Sequence, residues 1–282
     1  MNSPTISSSR ASLAVDGDDV DVRYLHGGDG PPLVFLHGIG LDAAAVSWRH
    51  ALPALAGEFS VYALDLPGHG ESDGPDRTYT TDYYVDVLGS FLEAMGIRGA
   101  GLVGISMGGA VALGHALDGG SPERLVLVDS YGLGADAYWR QAASAALRIP
   151  FASSFLWGSV SSRAGVRTNL QGLLGSSVPE ELVDDVHGAV SGRSMDALRS
   201  WQRHEFRPDG LRTDYRSRLG DLSTPTLLVH GEHDPLFPVS WSREASERLS
   251  AGELRVFDRC GHWVPRECPE AFNGLVRDFC LA

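Results

Sequence analysis

The 282-residue chain contains no lysine: all 23 of its basic residues are arginine, set against 36 acidic residues for a formal net charge of −13. Nucleic acid and anionic membrane would both repel such a surface, so neither is an expected partner. The acid excess and missing lysine fit either a high-GC genome or a high-salt cytoplasm, where salt screens the self-repulsion. Cysteine is scarce too. Cys260, Cys268 and Cys280 lie near the C-terminus at spacings that fit no zinc pattern, and an odd count without a secretory context points to free thiols. No uninterrupted run of about 18 strongly apolar residues exists, and the nearest approach, 100–117, is broken by glycines and a serine. Residues 1–10 are polar and serine-rich with no apolar core, so a disordered N-terminal segment without a Sec-type signal and a cytoplasmic location are expected.

What the chain does have is glycine, 34 residues of it. Gly104-Ile105-Ser106-Met107-Gly108 sets one serine between two glycines, after an apolar run at 100–103 and before a small-residue helix over 107–117. A strand entering a helix through a very tight turn needs residues without bulk on both sides. It also forces the central residue into a strained conformation that lifts its side chain out of the sheet. Ser106 is therefore a candidate nucleophile. The competing reading is a glycine-rich buried helix with an incidental serine, and a base, an acid and an oxyanion hole elsewhere would decide between them.

Residues 11–15 and 20–24 alternate as a hairpin around a turn at 16–19. Short apolar runs at 33–36, 61–64, 125–128, 226–230 and 254–257 fit strands buried on both faces of a parallel sheet. Helical spacing of Tyr84, Val85, Leu88, Phe91, Leu92 and Met95 predicts a helix over 81–96, and 269–281 reads as a closing helix. From 131 to 221 the strand rhythm stops, while Trp139, Phe151, Phe155, Trp157 and Trp201 supply apolar surface. The expected fold is α/β, a doubly wound, mostly parallel sheet with an inserted helical cap. Its core spans 11–132 and 222–282, and its cap 133–221.

A serine at its own pKa is a poor nucleophile and needs an imidazole oriented by a carboxylate. His262 follows the last strand behind Gly261, and Asp234 follows the preceding strand in a proline-bounded turn. Loops at the carboxyl ends of parallel strands open onto one edge of the sheet, so Ser106, Asp234 and His262 share it. Asp129, Glu232 and Asp258 compete with Asp234 for the acid. The oxyanion hole is expected from the backbone N–H groups of Ile39, in the loop after the strand at 33–36, and of Met107 at the helix N-terminus. His37 reads as structural, as does His69 in the Asp65–Ser72 stretch, and nothing at metal spacing implies a metal.

The chain resembles the α/β-hydrolase superfamily across nearly its whole length, through LHGIG at 36–40, DLPGHGES at 65–72, GISMGG at 104–109, GEHDPLFP at 231–238 and CGHWVPRECPEAFN at 260–273. Gly261-His262-Trp263 and the Ser-Met-Gly-Gly elbow are similar to those of carbon–carbon hydrolases that cleave meta-ring-fission products. That resemblance implies an asparagine just before the nucleophile, where this chain has Ile105, and a cap arginine gripping the substrate carboxylate, near Val186 here. Arg193 and Arg199 are the candidate replacements.

These departures lead to an expected cofactor-free esterase for small, fairly apolar substrates, with Trp139, Phe155, Trp157 and Trp263 shaping the pocket. A carbon–carbon hydrolase is the second reading, and a non-catalytic ligand-binding protein on the same fold the third. No feature specifies an interface between copies. If the acidic surface is an adaptation to high salt, the unfolding midpoint and activity rise across a salt series. Full stability in dilute buffer would exclude that origin.

Overall fold

A computed structural model describes residues 4–146 and 162–282. Eight strands form one sheet in the order β1-β2-β4-β3-β5-β6-β7-β8. β1 (Ser7–Val15) and β2 (Asp18–Gly27) make an antiparallel hairpin closed by Asp16-Gly17, both at positive φ, as a tight hairpin turn of this hand requires. β2 runs antiparallel to β4 (Ser60–Leu64). β3 (Pro32–Leu36), β4, β5 (Gly101–Ile105), β6 (Arg124–Val128), β7 (Thr226–Gly231) and β8 (Gly252–Phe257) are parallel.

Residues 7–10 belong to β1 and not to a disordered segment. Side-chain pattern does not reveal this, because the pairing from Ser7↔His26 to Arg10↔Arg23 runs through the backbone. Ser8 and Ser9 also bond across the edge, Arg23 Nε donating to Ser8 Oγ at 3.0 Å and Ser9 Oγ meeting His26 Nε2 at 3.0 Å.

The central strands are buried on both faces, which is why they read as continuous apolar runs. Leu33, Phe35, Val103, Ile105, Val126 and Val128 pack on one face, Val34, Leu36, Leu102, Leu125 and Leu127 on the other. α1 (Ala44–Ser47) and α2 (Ala51–Leu55) cover the first face, and α3 (Thr81–Ala94) and α4 (Met107–Leu117) the second.

Between β6 and β7 the described residues form α5 (Arg140–Ala146), α6 (Arg163–Leu173), α7 (Glu180–Ala189), α8 (Gly192–Glu205) and a 3₁₀ turn (Arg216–Asp221). Apart from the isolated bridge Phe206–Leu211, no strand pairing occurs there among the described residues. Glu205 ties this insertion down. Although 1% exposed, its carboxylate accepts from Tyr131 Oη at 2.8 Å, Thr213 Oγ1 at 2.7 Å and Thr81 Oγ1 at 3.1 Å. α9 (Val239–Arg248) joins β7 to β8, and α10 (Val264–Glu267) and α11 (Pro269–Leu281) close the chain. Among the described residues no helix is long and apolar enough to cross a membrane.

β4 lies on one side of β3 and β5 on the other, so chain order reverses there and opens a crevice at the strand ends. The turn from β5 into α4 lies beside it. A Cβ on Gly104 would overlap the Gly108 carbonyl oxygen, and one on Gly108 would overlap the carbonyls of Leu36 and His37. Gly108→Ala is expected to cost about 1–3 kcal/mol of stability through this overpacking. The measurement is a lower urea midpoint at unchanged slope, and an unmoved midpoint would contradict the close approach.

Candidate active site

Ser106 sits at the N-cap of α4 with φ 55° and ψ −120°, in the left-handed region that disfavours a side chain. Its backbone is held on both sides: Ser106 N–H donates to Val128 O at 2.9 Å, and Ser106 O accepts from Tyr131 N–H at 3.0 Å.

The loop after β3 faces this turn, and the amides on either side of Ile39 are committed. Gly38 N–H donates to Asp42 Oδ2 at 2.7 Å, and Gly40 N–H to His69 Nε2 at 2.9 Å. Burial, and then the proximity of His37, push His69 down to about 3, so it is neutral and can accept. His37 likewise accepts the Leu66 N–H at Nε2 and approaches Gly38 O through Nδ1. Both histidines thus serve as spacers between loops. Between the two spent amides, Ile39 N–H has no acceptor among the described residues, and neither has Met107 N–H in the first turn of α4.

His262 Nδ1 lies 2.8 Å from Asp234 Oδ2, while Asp234 Oδ1 accepts the N–H groups of Leu236 and Phe237 at 2.7 and 3.2 Å. The His262 loop is anchored through its own N–H to Leu173 O at 2.8 Å. Burial opposes charge on both partners, but each holds the other: the Asp234 carboxylate, its hydrogen bond, Asp129 and Asp42 raise His262 above the ordinary 6.5. Against its burial, His262 and His230 keep Asp234 below the usual carboxylate range.

Of the competing acids, Glu232 and Asp258 are exposed. Asp129 is fully buried with φ 44°. Its Oδ1 accepts Gly231 N–H at 2.8 Å and its Oδ2 has no partner. Burial, and then the Asp234 charge, push its carboxyl well up, so it ionises less readily than Asp234. Asp129, His230 and Asp234 bring one oxygen or nitrogen each within 4.8 Å. His230 and Asp234 are spent on the protein, however, with His230 held by Ser242 Oγ at 2.7 Å and Phe237 O at 3.1 Å and both Asp234 oxygens accepting.

Ser106, His262, Ile39 and Asp42 line one cavity of about 310 Å³. Trp139 and Trp263 line it as well, their indole N–H groups donating to Leu236 O at 2.6 Å and Ser47 Oγ at 2.8 Å. Phe155 and Trp157 lie outside the described residues. Neither Arg193 nor Arg199 is among the described lining residues. Arg199 pairs instead with Asp196, and Val186 is in the core. The lining residues that sequence reasoning missed include Asp42, Asn169, Leu198 and Gln202. Asp42 is signalled only by its place just after the His37–Gly40 loop and Leu198 by its i−3 spacing from the already conspicuous Trp201, whereas no sequence signal marks Asn169 or Gln202.

The profile of the Alpha/beta hydrolase family matches residues 33–275. The chain belongs to that family. This α/β hydrolase is 30% identical over 290 residues to the 2-hydroxymuconate semialdehyde hydrolase of Pseudomonas sp. (strain CF600), covering 99% of this chain and 96% of that one. It is 30% identical over 275 residues to the 2-hydroxy-6-oxo-6-phenylhexa-2,4-dienoate hydrolase of Comamonas testosteroni, covering 94% and 92%. The solved meta-cleavage product hydrolase of Pseudomonas fluorescens IP01 superposes with a TM-score of 0.79 at 28% identity, covering 95% of this chain and 96% of that chain.

A base must be neutral to accept a proton, so kcat/KM of this hydrolase is expected to rise with pH through a value above histidine's ordinary 6.5. Asp234→Asn removes the charge that outweighs burial. The rising limb should then move to lower pH while kcat falls about 10³–10⁴-fold. A pH–rate profile whose rising limb stays put in the variant would remove Asp234 as the partner of His262.

Proposed function

We propose that this protein is a serine hydrolase that cleaves the carbon–carbon bond beside the ketone of 2-hydroxy-6-oxo-dienoates of the ring-fission type. The observation that carries the hydrolase reading is Ser106, on its strained turn, sharing one cavity with the His262–Asp234 pair. The choice of bond is supported by relatives named for such substrates over almost their full length. Their support outweighs the ester reading with which the sequence analysis led.

In this mechanism Ser106 Oγ adds to the ketone carbon as His262 takes its proton, and the Ile39 and Met107 N–H groups receive the oxyanion, each contributing on the order of 3 kcal/mol. The substrate reacts as its 2-oxo tautomer, in which the 2-hydroxyl proton has moved to the carbon beside the ketone; the carbon–carbon bond then breaks with its electron pair delocalised through the enone as a dienolate, whose oxygen takes the proton back from His262. Water, deprotonated by His262, then releases the acyl group from Ser106 as a carboxylic acid. No cofactor takes part. The helical insertion acts as a cap, its Trp139 and Leu198 narrowing the cavity and excluding bulk water. Ester cleavage is the second reading, favoured by Ile105 beside the nucleophile and by the lack of arginine among the described lining residues.

A chromogenic ring-fission dienoate assayed beside p-nitrophenyl butyrate separates the two, with higher kcat/KM expected on the dienoate. Ester turnover well above dienoate turnover would put the ester reading first. Ser106→Ala should lose at least about 10³-fold in kcat and all labelling by a fluorophosphonate probe. A folded wild type that neither labels nor turns over either substrate would end the hydrolase reading.

A further inference from the structure

Most of the cavity wall is apolar, built from side chains such as Leu173, Leu198, Phe206 and Leu236. Beside Ser106 and His262, the polar side chains facing it are Asp42, Asn169 and Gln202, with the three indole N–H groups of Trp139, Trp201 and Trp263 already spent. Asp42 is fully engaged: its two oxygens accept from Gly38 N–H, Ala43 N–H and Ser47 Oγ at 2.7, 2.8 and 2.6 Å. Asn169 donates one turn back to Gly165 O at 2.8 Å.

Gln202 differs from both. Its carboxamide makes no hydrogen bond with the described residues, and its Oε1 is buried without a partner. A buried polar group left this way carries an uncompensated desolvation cost. Gln202 is also rigidly presented. It sits on α8 between Trp201, whose Nε1–H donates to Thr81 Oγ1 at 3.1 Å, and the buried Glu205 that anchors the insertion. A leucine would serve the wall at no such cost.

We infer that Gln202 is a specificity-determining residue that binds the 2-hydroxy carboxylate end of the substrate, its Nε2–H donating to a carboxylate oxygen and its Oε1 accepting the neighbouring hydroxyl. This rests on the dienoate reading above and refines it. The carboxamide is a neutral donor–acceptor pair, and a hydroxy acid presents the complementary acceptor–donor pair on adjacent carbons. It therefore does here what the absent arginine would do by charge, among the described lining residues. Being a hydrogen-bonding contact to the acid end of the substrate and not to the reacting carbonyl, it acts on binding and leaves the chemical step alone.

The test is binding to the Ser106→Ala protein, in which the ligand persists whether or not the wild type cleaves it. Two probes are titrated by absorbance: 2-hydroxy-6-oxo-6-phenylhexa-2,4-dienoate, and a phenyl enone of the same length without hydroxyl or carboxylate. Gln202→Leu added to this background should weaken the dienoate about tenfold and leave the enone within about twofold. Gln202→Glu, which keeps the shape and reverses the donor into a negative charge, should weaken the dienoate further with the enone again unchanged. Parallel weakening of both probes would make Gln202 merely structural and overturn the inference. So would unchanged dienoate affinity, or no dienoate binding at all. Gln202-dependent binding of a dienoate that the wild type does not hydrolyse would leave the inference standing and refute the proposed reaction instead.

Discussion

The site depends on one close approach of backbone to backbone, where α4 begins against the end of β3. Only glycine at 104 and 108 lets that helix start within reach of the Leu36 and His37 carbonyls. That placement puts Ser106 in a backbone conformation costing on the order of 1–3 kcal/mol. The hydrogen bonds from Ser106 to Val128 and Tyr131 hold the turn against relaxation. Every later feature follows from this geometry: the serine stands clear of the sheet, the first amides of α4 point at the crevice, and the β3 loop lies opposite.

Around this turn, neutral groups are used for spacing and charge is confined to where it acts. His37 and His69 bridge loops by accepting the Leu66 and Gly40 N–H groups, and the amides on either side of Ile39 are occupied by Asp42 and His69. Asp129 and Asp234 lie close together in the protein interior, where two carboxylates cannot both be charged cheaply. The environment separates them. Asp234 accepts two backbone N–H groups and faces His262, while Asp129 keeps an unpartnered oxygen and a raised pKa. Asp42 completes the pattern by joining the two loops, through Gly38 on one side and through Ser47 to Trp263 on the other.

Much of the fold is legible in the sequence because strands buried on both faces must be apolar throughout, as 33–36 and 125–128 are. The edge is less legible. Ser7–Arg10 pair through main-chain groups that every residue carries, so no side-chain pattern marks them as strand. The same division runs through the site. Ser106, Asp234 and His262 stand at strand ends, where short motifs encode the loop geometry locally. Val186, read as the neighbourhood of a substrate-gripping arginine, instead faces the core, because in an insertion of short helices a rotation of one residue exchanges wall for core.

The sequence by itself determined the layered sheet, the tight turn at Gly104–Gly108 and the placing of Ser106, Asp234 and His262 at strand ends, since each is set by local backbone demands and by period-two or continuous burial. Tertiary structure alone decided that Asp234 and not Asp129 meets His262, that Ile39 keeps its amide unspent, and that Gln202 faces the cavity with no partner. These depend on which side chains from distant segments arrive at the same few ångströms. The packing of α8, fixed by the buried Glu205 and its hydroxyl partners, and of α6, whose Leu173 O accepts the His262 N–H, is settled only when the whole chain has folded.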